Sequence, residues 1–199
     1  MIHRHILSSL HAYLAHYLDP ANEAAALDLV DGTSVNGAQL NKILARVRGK
    51  INLRTYAQAG NATPPLIVAQ LQNRRAVHRP LGHTFNGGAS SISKQDAQVE
   101  VLCTNNEECE ILSAITAASL EAARADFVAN GYLFYEVEGL DEPTPQELLA
   151  SEELGIYSRK ISVSAMVQES FAPVIPPSSL GNLSLGLAPD GRVTAKTSV

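Results

Sequence analysis

The chain has no tryptophan, and aromatic residues make up only 5% of it. Ligand pockets and base-stacking platforms both draw on aromatic side chains, so the composition argues against either. Cysteine is almost as scarce: Cys103 and Cys109 are the only two, too few for a disulfide-built scaffold. No apolar run approaches the roughly 20 residues that span a bilayer. The amino-terminal stretch does not read as a signal peptide. His3, Arg4, His5, His11 and His16 interrupt its apolar residues, and it has no small-residue cleavage site. Basic residues are outnumbered: 15 Lys and Arg against 20 Asp and Glu leave a net charge of -5, whereas wholesale nucleic-acid binding carries a basic footprint. The expectation is a protein without a membrane segment, made and kept in a cytosol-like compartment.

What is present suits a soluble α+β domain. Of 199 residues, 45% are apolar and 18% charged, enough for one core with length to spare, or for two small domains at most. Ile6, Leu10, Tyr13, Leu14 and Tyr17 recur at helical spacing, so residues 1–18 read as an amphipathic helix that Asp19-Pro20 ends. Residues 24–30 fit a short strand or a short helix equally well. A second helix is predicted from Ser34, its N-cap, to Leu53, with Leu40, Ile43, Leu44, Val47 and Ile51 as its apolar stripe. Lys42, Arg46 and Lys50 form a basic stripe beside it, either a solvated face or a contact surface for an acidic neighbour.

After a break at residues 61–65, Leu66 to Leu71 reads as a strand. Residues 72–88 read as a turn, another strand and a glycine-ended loop, and residues 89–94 as a Ser-rich flexible loop. Within this stretch Arg74, Arg75, His78, Arg79 and His83 cluster in an otherwise acidic chain. Such a segment suits a phosphate backbone or a Glu-rich neighbour; the overall acidity favours the neighbour. Val99, Val101 and Cys103 alternate as in a strand. Asn105 or Asn106 caps a long Ala-rich helix reaching Asn130, with Glu107, Glu108 and Glu110 in its first turn, where the helix dipole favours acids. Ile111, Ile115, Ala118 and Ala122 mark its buried face, and Gly131 is its C-cap. Strands are predicted over 132–138 and 157–168, separated by an acidic loop with one helical turn at 146–150. Val99, Val101, Ile161 and Val163 are expected to bury against Ile111 and Ile115.

From Ala172 the composition changes to Pro, Gly and few charges. Val174, Ile175, Leu180, Leu183, Leu185 and Leu187 are more apolar than a solvated tail requires. They read as an extended assembly arm that orders on a neighbouring subunit. The organisation is therefore 1–60 as a helical segment of the main domain, 61–171 as an α+β core and 172–199 as the arm. The sheet is mixed or antiparallel, packed by the long helix.

No nucleophile elbow, P-loop or dinucleotide fingerprint occurs. The histidines of the first helix make no His-x-x-x-His pair, which favours solvent-facing or interface roles over a metal site. Cys103 and Cys109 are too far apart for a Cys-x-x-Cys redox motif and read as buried or half-buried free thiols. No catalytic, cofactor or metal residue is assigned.

Three runs carry a resemblance: QVEVLCTNNEECEILSAITAASL (98–120), GYLFYEVEG (131–139) and YSRKISVSAMV (157–167). Their order, a strand into a Glu- and Ala-rich helix, a second strand, then a last strand opening on Tyr-x-Arg, resembles the core of bacteriophage tail-terminator and related neck or tail-completion proteins. It covers residues 64–167. The resemblance implies a structural virion subunit and not an enzyme: a homo-oligomeric ring, usually a hexamer, assembled in the host cytoplasm. Such a ring caps the tail tube, adjoins sheath proteins and head-completion or collar proteins, and lets DNA pass through its lumen. The other reading is a small α+β enzyme or regulatory subunit with no recognisable motif.

Overall fold

The computed structural model describes residues 2–29, 37–78, 84–85, 88–141, 144, 153–171, 183–187 and 193–197. In chain order these form helix α1 (Ile2–Tyr17), a 3-10 turn (Pro20–Asn22), α2 (Glu23–Leu29), α3 (Gly37–Val47), strand β1 (Asn52–Thr55) and a 3-10 segment (Tyr56–Asn61). Then follow β2 (Leu66–His78), β3 (Thr84–Phe85), β4 (Gly88–Cys103), α4 (Asn106–Ala122), α5 (Arg124–Ala129), β5 (Tyr132–Asp141), β6 (Tyr157–Phe171), β7 (Leu183–Leu187) and β8 (Val193–Thr197). The chain is an α+β protein with a mixed sheet ordered β1-β2-β4-β6-β5. Among the described strands of this sheet only β1–β2 is parallel; β2–β4, β4–β6 and β6–β5 are antiparallel, and β3 pairs with the start of β4.

One face of the sheet is the core. Ala97, Val99, Val101 and Cys103 of β4, Ile67 and Ala69 of β2, and Ile161, Val163 and Ala165 of β6 are all buried. They share one apolar cluster with Ile2, Ile6, Leu10 and Leu14 of α1 and Ile111, Leu112, Ile115 and Leu120 of α4. The expected burial of Val99, Val101, Ile161 and Val163 with Ile111 and Ile115 is observed, and the amino-terminal helices belong to the same core as the sheet. α1 packs on α4, and α2 packs on both. α3 is tied down at its end, where the Arg48 guanidinium donates to the Leu18 carbonyl.

Several elements differ from expectation. Residues 24–30, left open between strand and helix, are helical as far as Leu29. The predicted helix to Leu53 stops at Val47: Gly49 turns the chain at a φ of 71°, and Asn52–Thr55 becomes a strand because β2 offers a parallel partner. Ser34, its proposed N-cap, lies outside the described residues. Residues 72–78 continue β2, and 89–94 belong to β4. They are polar because the ladders, not local hydrophobicity, order them: Asn73 to Ala76 pair with Asp96 to Ser93, and Ala89 to Lys94 pair with Phe171 to Met166. The long helix is broken at Ala123. Thr116 and Ser119 hydroxyls donate back to the Leu112 and Ile115 carbonyls at 2.6 and 2.7 Å, a pattern that bends helices. The bend brings Phe127 onto Tyr135, ring centroids 4.1 Å apart. Ala118 is half-buried and Ala122 exposed, because Leu112, Thr116 and Leu120 share the core side instead. Gly131 does end the helical region, at a φ of 84°.

The carboxy-terminal arm is not simply extended where it is described: β7 and β8 pair antiparallel as a hairpin, Leu183 opposite Thr197 and Leu185 opposite Ala195. Val174, Ile175 and Leu180, and the proposed helical turn at 146–150, lie outside the described residues. Among the described residues, no helix is long and apolar enough to cross a membrane.

Candidate assembly surface

The helices cover one face of the sheet and leave the other polar. Alternation along β4 puts Lys94, Asp96, Gln98 and Glu100 on the uncovered face. The register places Ser162 and Ser164 of β6 and Glu136 of β5 there too. These groups satisfy one another. Gln72 donates to Gln98 Oε1 at 2.8 Å, and Lys94 Nζ lies 3.3 Å from Asp96 Oδ1. Ser164 Oγ sits 2.7 Å from Asp96 Oδ1 and 3.0 Å from Glu138 Oε1. Apolar side chains on this face include Leu66 and Val68 of β2, both buried, Leu102 of β4, Met166 of β6 and Phe134 of β5.

The two ends of the sheet differ. β1 covers β2 only from Leu66 to Ala69. Beyond Leu71, residues Gln72 to Val77 are all exposed, including Arg74, Arg75 and the large apolar Val77 at 50%. Arg79 lies outside the described residues. At the opposite end β5 pairs with β6 alone among the described strands. It exposes Leu133 at 58% and Phe134 at 41%, and Glu136 and Glu138 are exposed beside them. One edge is thus basic and the other acidic, each with exposed apolar side chains.

The sequence-predicted contact residues fall in three places. Arg46 on α3 pairs with Glu108 on α4, Nη1 to Oε1 at 3.1 Å, and Glu108 is buried. Part of the proposed basic stripe is therefore an internal tie, and Glu108 is already paired. Lys42 is exposed on α3, while Lys50 lies past the turn at Gly49 and off the helix. Glu107 is exposed and Glu110 half-buried in α4, which Asn105 caps by accepting from the Glu108 N–H at 3.2 Å. Arg159 of the Tyr-x-Arg opening donates to Asn106 Oδ1 at 2.8 Å and so pins the same helix start. Arg74 pairs with Gln95, eight residues along β4 from Cys103, on the order of 25 Å from that acidic turn. Of the acids on β5, Glu136 lies in the row of Asn73, next to that of Arg74, and Glu138 lies two residues farther along the strand. Sequence reading passed over them as ordinary strand residues; the spacing of Phe134, Glu136 and Glu138 along one face was the available signal.

Other candidate chemistry resolves into packing. Of the histidines expected in solvent-facing or interface roles, His3 and His5 are half-buried. His5 packs edge-on against Tyr132, ring centroids 5.4 Å apart, and burial lowers both imidazoles from their ordinary pKa. His11 and His16 are exposed, and His16 lies within 3.1 Å of the Asn22 amide. Cys103 and Cys109 are buried free thiols. Cys109 Sγ donates toward the Val101 and Tyr157 carbonyls at 3.4 and 3.5 Å, and contact with Cys109, together with burial, pushes the Cys103 thiol up. A cleft between α1, the 3-10 segment and β2 is lined by His3, Arg4, Leu7, Tyr56, Gln58 and Leu71 among others, and among the described residues by no carboxylate or cysteine. Among the described residues, no three His, Cys, Asp or Glu side chains are grouped to hold a metal. Compared with known proteins, the chain matches no family model and no curated sequence.

Proposed function

We propose that the chain is a self-assembling structural subunit: a ring-forming phage tail-terminator or neck protein that joins the tail tube to the head connector. The observation that carries this reading is the pair of unlike sheet edges left open among the described strands, β2 beyond Leu71 and β5, with Val77, Leu133 and Phe134 exposed on them. Proteins that stay monomeric blunt or cover such edges. Two unlike edges on one subunit favour head-to-tail association, which closes into a ring when the rotation per subunit divides a full turn. The resemblance of residues 64–167 supplies the particle: a virion neck, built in the host cytoplasm, with copies of itself, tail tube and sheath proteins and head-completion or collar proteins as partners. DNA passing through the lumen would meet the arginines only non-specifically.

Size-exclusion chromatography with light scattering, followed by negative-stain imaging, tests the proposal. The expected result is a closed ring of copies of the 21.2 kDa chain, six by the resemblance, alone or on adding tail tube protein. A monomer at all concentrations, with and without that partner, would overturn it.

A further inference from the structure

We infer that the sheet continues across the subunit boundary, β5 of one copy docking antiparallel on residues 72–78 of β2 in the next. This interface rests on the reading of the chain as a self-assembling subunit and names the surface that joins the copies.

Strand direction favours this junction. β2, β4, β6 and β5 are joined by three successive antiparallel pairings, so β5 runs opposite to β2. A second copy placed beside the first in the same orientation therefore meets it with an antiparallel junction, the pairing that needs no inversion of the subunit.

The register of the two edges is complementary. Following the pairings across the sheet, Asn73 lies in the row of Asp96, Ser164 and Glu136. Arg75 lies in the row of Lys94, Met166 and Phe134, and Ala76 in the row of Ser93, Val167 and Tyr132. Copies set side by side without stagger therefore bring Asn73 opposite the neighbour's Glu136 and Arg75 opposite its Phe134. Arg75 and Glu136 share the uncovered face and become diagonal neighbours, within reach of long side chains. Val77 falls within one row of Leu133, so the exposed apolar groups of the two edges meet beside the charged pair.

Every residue from Gln72 to Val77 is exposed, and no described strand pairs with the outer edge of this part of β2. The two edges are opposite in charge, which favours the unlike contact and disfavours β2–β2 or β5–β5 contacts by like-charge repulsion. The occupant that this chemistry fits is a second copy of the same chain.

The test is a cross-link in the predicted row. Asn73→Cys together with Glu136→Cys places thiols directly opposite each other across the junction, where Cβ separations are about 4.5–5.5 Å in antiparallel pairs. Mild oxidation of the full-length double variant should give a ladder of covalent multimers on a non-reducing gel, abolished by dithiothreitol and absent from either single variant. Arg75→Glu should shift assembly to about tenfold higher concentration, a change of about 1.4 kcal/mol. Glu136→Lys in the same chain should restore it. Rings that form without a ladder, and are indifferent to both charge reversals, would overturn the edge junction while leaving assembly standing. A wild-type chain that stays monomeric under every condition would overturn the assembly reading and the junction with it.

Discussion

Replacing Val99 by Asp tests the core most sharply, because Val99 and Val101 are equally buried but have different neighbours. Both are 0% exposed on the helix-covered face. Val99 sits between Ala69 of β2 and Ile161 of β6, whereas Val101 sits between Ile67 and Arg159. An aspartate at 99 meets only apolar groups. Burying even its neutral carboxyl without a partner costs about 1–3 kcal/mol, and losing the valine's own burial costs about 1.5–3 more. Burial also raises the folded-state pKa above the unfolded value near 3.9, so the folded state binds the proton more tightly. The sign follows. The penalty is smallest below pH 4 and grows by about 1.4 kcal/mol per unit as pH rises, until the carboxyl ionises in the folded protein. At pH 7 the sum reaches on the order of 5 kcal/mol or more, comparable with the whole stability of a domain. With a urea slope of about 2 kcal/mol per molar, the midpoint should fall by about 2.5 M. Far-UV circular dichroism during urea unfolding at pH 4 and pH 7 reads this out. Val101→Asp should cost less at pH 7, since the Arg159 guanidinium across the strand can pair with it, a charge-assisted bond worth about 1.5–3 kcal/mol. A Val99→Asp protein within about 1 kcal/mol of wild type, or a Val101→Asp protein that is the less stable of the two, would refute the layering and the register together.

Three further expectations follow from other contacts. Tyr135 OH donates to the Leu120 carbonyl at 3.0 Å in a buried site; Tyr135→Phe should keep the stack on Phe127 and lose about 1 kcal/mol of stability, measured by denaturant titration. Burial holds His5 below its ordinary pKa, so protonation opposes folding: stability should fall as pH drops below about 6.5, and His5→Phe should flatten that fall in thermal melts across pH 5–8. Deleting residues 172–199, whose described strands β7 and β8 pair with each other, should leave cooperative unfolding intact and weaken assembly in light scattering. A truncated chain that assembles as well as the full one would remove the arm from the interface.

Legibility of the fold tracked how much of each element's order is local. α1 and α4 were visible because apolar residues recur at helical spacing and Asn105 with its acids marks a helix start. The second half of β2 and the first half of β4 were not, because Gln72–Arg75 and Ser90–Lys94 are polar and gain their strand conformation from the ladder between them and from β6. The candidate surface was half legible. Arg74 and Arg75 stood out as a basic cluster, but Glu136 and Glu138 on the opposite edge did not, and among the acids in the first turn of α4 Glu108 is paired within the chain by Arg46.

The sequence by itself determined the fold class, the apolar stripes of α1 and α4, the inward alternation of β4 and β6, and the two buried thiols. Each of these follows from side-chain period and local capping, which need no knowledge of the neighbours. Only the tertiary structure decided that β5 and the distal part of β2 are the open ends of one sheet among the described strands, that Glu136 shares a row with Asn73, and that two half-buried histidines lie in the helix–sheet layer. Edges and rows arise from strand order, and strand order depends on pairings between residues far apart in the chain, which no local pattern records.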